Sequence, residues 1–426
     1  MKRVVILCVW LFSVVAGHAQ LSLDECRRLA RENYPEIRQY DLVHQTEQYN
    51  LSNAARAWIP QLAFSAQATW QTDAPNFPKE LTGMLAQQGL EIPGLRKDQY
   101  KVALELNQTI WDGGKSVADK RIARAEAAEQ KTMTDVDLYE LEGRVDDLYF
   151  GILLLDERIA QTNLTQNLLR SNLEKVRALQ RNGVAMQSDA DVLEAELLSV
   201  GQQLIQFESS CDSYRRMLGI FIGQKVGDRK LQRPSAVQPL SGESARPELA
   251  MFAAKIDRLT AQEKMVKSSS MPRLGFFAQG YYGYPGLDYM QSMMNSDWSW
   301  NAMLGVKLSW NFGAYYTQKN NLNKLRTSRQ QVEVQRDVFL FNMNLQAAQE
   351  NGDIARLRKA IADDDRIVAL RRSVREAAES KLRNGIIDTH DLLSKITDES
   401  TASMARSMRE IELLKAIYEY KHTINR

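Results

Sequence analysis

The sequence predicts a mixed α/β membrane protein, mainly long coiled-coil α-helices plus four transmembrane β-strands per chain. Three observations predict it. First, in residues 298–312 the even positions Trp298, Trp300, Ala302, Leu304, Val306, Leu308 and Trp310 are apolar. The odd positions Ser299, Asn301, Gly305, Lys307, Ser309 and Asn311 are polar or small, with Met303 the exception. A period of two over this length marks a strand with one apolar and one wet face, and tryptophan near both ends suits lipid on the apolar side. Second, Leu138, Leu141, Val145, Leu148, Ile152, Leu155 and Ile159 recur at alternating three and four residue steps, as in a coiled-coil seam. Third, the chain presents the same order of elements twice.

The elements follow in order. Lys2 and Arg3, the apolar run Val4 to Val15 and the small-residue site Gly17-His18-Ala19 predict a secretory signal over residues 1–19. No Cys stands at the cleavage site, so a lipid-anchored N-terminus is not indicated. The first repeat is assigned to residues 20–223. Ser22 and Glu25 predict a capping box opening a helix that reaches about Trp58, where Pro60 stops it. Alternation predicts strands over 61–72 and 99–111, separated by a Pro/Gly-bearing loop. After Gly114 the period becomes helical, and the first arm of a hairpin over 114–222 runs without proline from Lys115 to Asn182, roughly 100 Å at helical rise. Leu169, Leu173 and Val176 keep its register, and Leu193, Leu197, Val200, Leu204, Phe207, Cys211, Tyr214 and Leu218 continue it on the return. Residues 224–245, with Gly227, Pro234, Pro239 and Gly242, read as a linker.

The second repeat, residues 246–426, restates the first. Pro247 opens a helix, strands are predicted over 272–284 and 298–311, and a hairpin over 313–424. Met271-Pro272-Arg273-Leu274 answers Ile59-Pro60-Gln61-Leu62, Trp310-Asn311-Phe312-Gly313 answers Trp111-Asp112-Gly113-Gly114, and Arg383-Asn384-Gly385 answers Arg181-Asn182-Gly183. The last helix carries Leu393, Met404, Ile411, Leu414 and Tyr418 in the same register. Four strands cannot close a barrel, and an open sheet edge in hydrocarbon is not viable, so the chain has to oligomerise.

This organisation resembles the TolC-like outer-membrane efflux protein family over essentially the whole mature chain. The resemblance rests on Leu21-Ser22-Leu23-Asp24-Glu25, the two strand entries, the Trp111-Asp112-Gly113-Gly114 exit and the paired turns, each followed by an Asp six residues after its glycine (Asp189, Asp391). It implies a homotrimer in which each chain gives four strands to a twelve-stranded barrel and its helices to a periplasmic helical barrel. It further implies a passive exit duct in the outer membrane of a Gram-negative bacterium, set in outer-membrane lipid. An inner-membrane pump and a periplasmic adaptor (membrane fusion protein) would drive it, the adaptor docking on the hairpin tips.

The candidate site residues follow. The tips are Arg181, Asn182, Gly183 and Asp189, and Arg383, Asn384 and Gly385. Asp391, with Ser394 one turn on, matches a family position whose carboxylates ring the periplasmic entrance, and three such groups on one axis would favour cations. Leu382 and Ile387 stand where some relatives use polar residues to hold the entrance closed, and Ser394 where some have a second acid; the entrance is expected to be closed by other contacts or held less firmly. Trp70, Trp111, Trp298, Trp300, Trp310 and Tyr282 are the expected membrane girdle. An acid near a helix start is favourable without any channel role, so capping competes as an explanation of Asp189 and Asp391. Likewise Gly183 and Gly385 suit tight turns for backbone reasons alone.

Other functions find little support. Of 55 basic residues two leave with the signal, so 53 face 53 acids and nothing global attracts nucleic acid. No cofactor or metal is expected and no enzyme chemistry. Gly114-Lys115-Ser116 resembles a phosphate loop but Thr109 stands where a glycine is needed. His44, His390 and His422 are isolated, and no nucleophile elbow occurs. Met290, Met293, Met294 and Met303 suggest soft-metal traffic only weakly, Met being a common gap-filler. Cys26 and Cys211 are too few for a disulfide framework, though a bond between them stays open, and Cys211 falls on a seam position. A periplasmic coiled-coil scaffold without channel activity is the alternative. Multidrug, metal and type I secretion systems are not separable from this chain.

Overall fold

The computed structural model describes residues 20–89, 92–183, 185–237 and 244–425; the expected signal segment and part of the linker lie outside them. The elements are α1 (Leu23–Asn33), α2 (Gln39–Arg56), β1 (Gln61–Trp70), α3 (Lys79–Gln87), β2 (Asp98–Trp111), α4 (Lys115–Arg181) and α5 (Gln187–Ile222). After the linker come α6 (Pro247–Ser268), β3 (Arg273–Tyr284), α7 (Tyr289–Met294), β4 (Ser299–Ser309), α8 (Ala314–Arg383) and α9 (Thr389–Ile424). Three short features depart from the expected elements. The first helix is broken by a 3-10 turn at Pro35–Arg38, because Pro35 lacks the amide a continuous helix needs. Short helices α3 and α7 also occupy the segments read as loops.

The chain forms two compact units, and they cut across the two repeats. One comprises Asp41–Lys131 and Met251–Gln335 and holds all four strands; the other holds the described residues up to Tyr40, Thr132–Ala250 and those from Arg336 onward. Helices α4 and α8 belong to both units by covalent continuity.

In the strand-bearing unit the sheet is antiparallel throughout, in the order β1-β2-β3-β4. The turn between β2 and α4 explains its Asp-Gly-Gly sequence. Asp112 is buried, its carboxylate accepting from the Gly114 amide at 2.9 Å and the Ser116 amide at 2.6 Å. Gly113 has φ +70° and lies so close to the strand entry that a Cβ would stand 2.7 Å from Met271 Cβ and 3.1 Å from the Pro272 carbonyl oxygen. Only glycine meets both demands. The matching tryptophan of the second repeat, Trp310, donates from Nε1 to the Ser270 carbonyl at 3.0 Å. Helix α7 is capped by Asp288, which accepts from the Gln291 amide at 2.9 Å, and Ser292 binds Gly286 and Asp288.

In the other unit one apolar core gathers Leu138, Leu141, Val145, Tyr149, Phe150 and Ile152 of α4, Cys211, Leu218 and Ile222 of α5, and Ile411 of α9 around Leu21, Leu23 and Cys26. These are largely the seam positions, buried because a three-four repeat keeps one stripe of a helix facing its neighbours. The start of the chain is fastened here. Leu21 pairs in parallel with Leu231, and the Tyr149 hydroxyl donates to the carbonyls of Leu21 and Gln232 at 2.8 and 2.6 Å. Ser22 caps α1 by accepting from the Glu25 amide, and Arg27 donates to Asp146 at 2.7 Å. Arg215 uses all its donors, reaching Asp156 at 2.8 and 2.9 Å, the carbonyls of Gly227 and Arg229 and the Cys211 sulfur.

Cys26 and Cys211 are both free and buried in that core, with no disulfide between them. Burial and the neighbouring carboxylates push the Cys26 thiol up to about 12, so it stays protonated and unreactive. His422 stacks on Tyr139 with ring centroids 4.2 Å apart, and burial beside Arg246 pushes it down to about 4. It is a neutral packing residue at neutral pH.

Candidate functional site

The strand register sorts every side chain of the sheet to one of two faces. Leu62, Phe64, Ala66 and Ala68 of β1 stand opposite Leu106, Leu104, Val102 and Tyr100 of β2. These in turn oppose Ala278, Gly280, Tyr282 and Tyr284 of β3, and Ala278, Gly280 and Tyr282 oppose Leu304, Ala302 and Trp300 of β4. The row continues through Phe276 with Val306 and Leu274 with Leu308. One face is thus apolar across all four strands, and it is open: Phe64 is 72%, Leu304 75% and Trp300 82% exposed. A continuous apolar surface of this extent is not left facing water; it fits hydrocarbon, with every interior backbone group paired in the ladder.

The expected girdle residues fall at the strand ends. Trp70 ends β1 and Trp111 ends β2, Tyr282 and Trp300 lie near one end of β3 and β4, and Trp298 and Trp310 flank β4. All six are exposed. Trp298 contacts Tyr282 and Tyr100, and Tyr282 contacts Trp300 at 5.0 Å, forming an aromatic cluster at one edge of the apolar face. Met290, Met293 and Met294 lie on α7 and Met303 on β4, and no group of three or more His, Cys, Asp or Glu suited to a metal occurs among the described residues.

The opposite face carries Ser65, Gln67 and Thr69, Lys101, Glu105 and Asn107, Gln279 and Tyr281, and Asn301, Lys307 and Ser309. Gln279 links two of these, accepting from Lys101 Nζ at 3.1 Å and donating to Glu105. Lys101 also lies 4.6 Å from the centre of the Tyr281 ring. This pairing joins strands more than 170 residues apart in sequence, which is why the spacing within any one strand could not disclose it.

The hairpin tips are built alike in backbone. At α4–α5, Gly183 has φ +76° and donates to the Gln180 carbonyl at 2.9 Å; at α8–α9, Gly385 has φ +68° and donates to the Leu382 carbonyl at 2.9 Å. Both glycines are exposed, and a Cβ placed on either would meet nothing within 4 Å, so conformation and not crowding selects glycine. Arg181, Asn182, Arg383 and Asn384 are exposed beside them or nearly so. Behind the tips, Leu169, Leu173 and Val176, Leu193, Ala378, and Leu392 and Ile396 form one core, with Leu382 and Ile387 packed against it. The apolar character of Leu382 and Ile387 therefore serves packing.

The two acids six residues after the glycines take different roles. The Asp189 carboxylate turns back to accept from the Met186 amide at 2.8 Å, capping α5. At the second tip Asp388 does the capping, accepting from the Asp391 amide at 2.8 Å. The Asp391 carboxylate is exposed, has no hydrogen-bonded or ionic partner among the described residues, and shares an exposed helix face with Ser394. Sequence reading missed the ion pairs beside this tip. Arg375 on α8 donates to Glu399 on α9 and to Glu379 at 2.7 Å; Glu399 also takes Arg372 at 3.2 Å, and Glu379 takes Lys175 of α4 at 3.4 Å.

The chain joins a sheet with one apolar and one polar face to paired long helices, the arrangement expected of an outer-membrane channel protomer. No helix among the described residues is long and apolar enough to cross a membrane. Residues 27–223 match the family described as outer membrane efflux protein. No curated protein matches the chain. Among solved structures the chain is similar to the outer-membrane channel OprN, with TM-score 0.69 and 14% identity over 94% of this chain and 89% of that one. It is similar to the outer membrane protein VceC from Vibrio cholerae (TM-score 0.67, 14% identity, 94% and 95% covered). The Campylobacter jejuni CmeC outer membrane channel gives 0.64, 14%, 94% and 85%.

The resemblance to the TolC-like outer-membrane efflux proteins thus stands, in family over residues 27–223 and in fold over nearly the whole chain. The outer membrane is the location that goes with it. The four-stranded antiparallel sheet with long helices is the fold shared with those outer-membrane channels.

Proposed function

We propose that this chain is the outer-membrane exit duct of a tripartite efflux or type I secretion system. The observation that carries the reading is the predominantly apolar, largely exposed sheet face combined with two unpaired edges. Among the described residues β1 is bonded only to β2 and β4 only to β3. Edges are not tolerated in hydrocarbon, and four strands are about half of what the smallest barrels use. Closure by β4 of one protomer against β1 of the next satisfies both constraints, and a trimer supplies twelve strands.

Within this reading the hairpin tips are the docking surface for a periplasmic adaptor, which couples the duct to an inner-membrane pump. Asp391, repeated by symmetry, supplies carboxylates at the periplasmic entrance. The protein itself does no chemistry; it offers a water-filled path whose wall is the polar sheet face. The scaffold alternative gives the exposed apolar face no partner.

The test is to measure mass and single-channel conductance on one detergent-purified preparation. A trimer giving uniform steps in a planar bilayer is expected. A stable monomer that never conducts would remove the channel assignment.

A further inference from the structure

The polar sheet face carries an uneven set of charges, and the register places them. Its strand residues include four ionisable side chains of settled charge, Lys101, Glu105, Arg273 and Lys307. Lys101 and Glu105 are tied to each other through Gln279. Arg273 and Lys307 have no carboxylate, hydrogen-bond or ring partner among the described residues, and both are exposed. Lys307 opposes Gly275, and Arg273 opposes Ser309, so the two cations are diagonal neighbours on adjacent strands. Such neighbours lie roughly 7–8 Å apart and repel each other.

The same two residues line a groove of about 780 Å³ on this face, with Glu105, Asp112 and Lys115. None of those three is hydrogen-bonded or ion-paired to Arg273 or Lys307 among the described residues. Asp112 is occupied by the Gly114 and Ser116 amides, and Lys115 pairs with Asp119 at 2.9 Å. The groove thus sets three cations, Arg273, Lys307 and Lys115, against two carboxylates, an excess of positive charge at the end of the sheet where β2 and β4 run on into α4 and α8.

We propose that Arg273 and Lys307 form an anion-attracting zone inside the barrel, so that this duct favours solutes bearing carboxylate, sulfonate or phosphate groups. The inference rests on the exit-duct reading, in which the polar face lines the lumen. Trimeric closure repeats the pair around one axis, and cations on a confined wall lower the energy of anions passing it. Its sign is opposite to that expected of Asp391, which makes the two separable.

The test is the reversal potential of the purified protein in a planar bilayer under a potassium chloride gradient. Arg273→Gln with Lys307→Gln should move the chloride-to-potassium permeability ratio several-fold toward potassium. Lys307→Glu alone should move it the same way, and Asp391→Asn the other way. Raising the salt about tenfold should shrink these differences, because the screening length falls to about 3 Å at 1 M. Neutralising variants that conduct with an unchanged ratio would overturn the proposal and leave the duct standing. Absence of any conductance from the unaltered protein would overturn the duct itself, and the proposal with it.

Discussion

Arg177 and Glu194 bridge the first hairpin at 2.7 Å with about half of each side chain open to solvent, 48% apiece. In the second hairpin Arg375 is only 14% exposed and lies between Glu399 and Glu379, with Arg372 and Lys175 completing the network. The two tips carry the same Arg-Asn-Gly signature and nearly the same turn, yet one is held by an exposed pair and the other by a shielded network. The difference teaches that the repeat keeps backbone geometry while the surrounding electrostatics diverge. The acids follow the same rule: Asp189 caps its helix, and Asp391 is released from capping by Asp388.

The sharpest way to break this comparison is to remove the arginines. Arg375→Ala leaves Glu399 and Glu379 short of their partner, and should cost about 2–3 kcal/mol at the second hairpin. Arg177→Ala should cost under about 1 kcal/mol, since exposed pairs contribute little. Hydrogen exchange at the two tips reads both; equal loss of protection would mean the two hairpins are held alike. Glycine should not discriminate between the tips. Alanine at either Gly183 or Gly385 faces a left-handed backbone, and should cost about 1–2 kcal/mol at each. Asparagine, which tolerates that conformation, should recover part of the loss in thermal melts; no recovery would point to crowding in the assembly.

The smallest expected effect separates the acids. Asp189→Ala removes a cap and should lower stability by about 0.5–1 kcal/mol without altering ion selectivity. Asp391→Ala should leave the trimer and its melting unchanged while moving the permeability ratio away from cations. Selectivity unaffected by the second substitution would remove Asp391 from the entrance.

Most of the architecture was legible because it depends on periods. Alternation located the strands, three-four spacing located the seams, and glycines marked the hairpin turns. What escaped depends on contacts between distant segments. Helix α7 has six residues and takes its support from Asp288 and from Ser292, whose carbonyl accepts from Tyr284; no amphipathic period can develop over such a length. The Arg375 network joins α4, α8 and α9, and the Gln279 bridge joins two repeats, so neither has a local signature. Asp189 and Asp391 look equivalent by spacing, and only the presence of Asp388 three residues before Asp391 distinguishes them. The charge imbalance of the polar face needed the strand register, which brings Arg273 beside Lys307.

The open edges of the sheet carry a consequence for inheritance. In the proposed trimer, a closed wall built from three copies would depend on every β4–β1 seam, so one defective copy would disable the two sound ones joined to it. When sound and edge-broken chains mix at random in equal amounts, only about one trimer in eight contains no broken chain. Damage to an exposed edge strand such as β4 would therefore behave as a dominant trait. Damage that prevents a chain from folding at all would be recessive, because the remaining copies assemble without it.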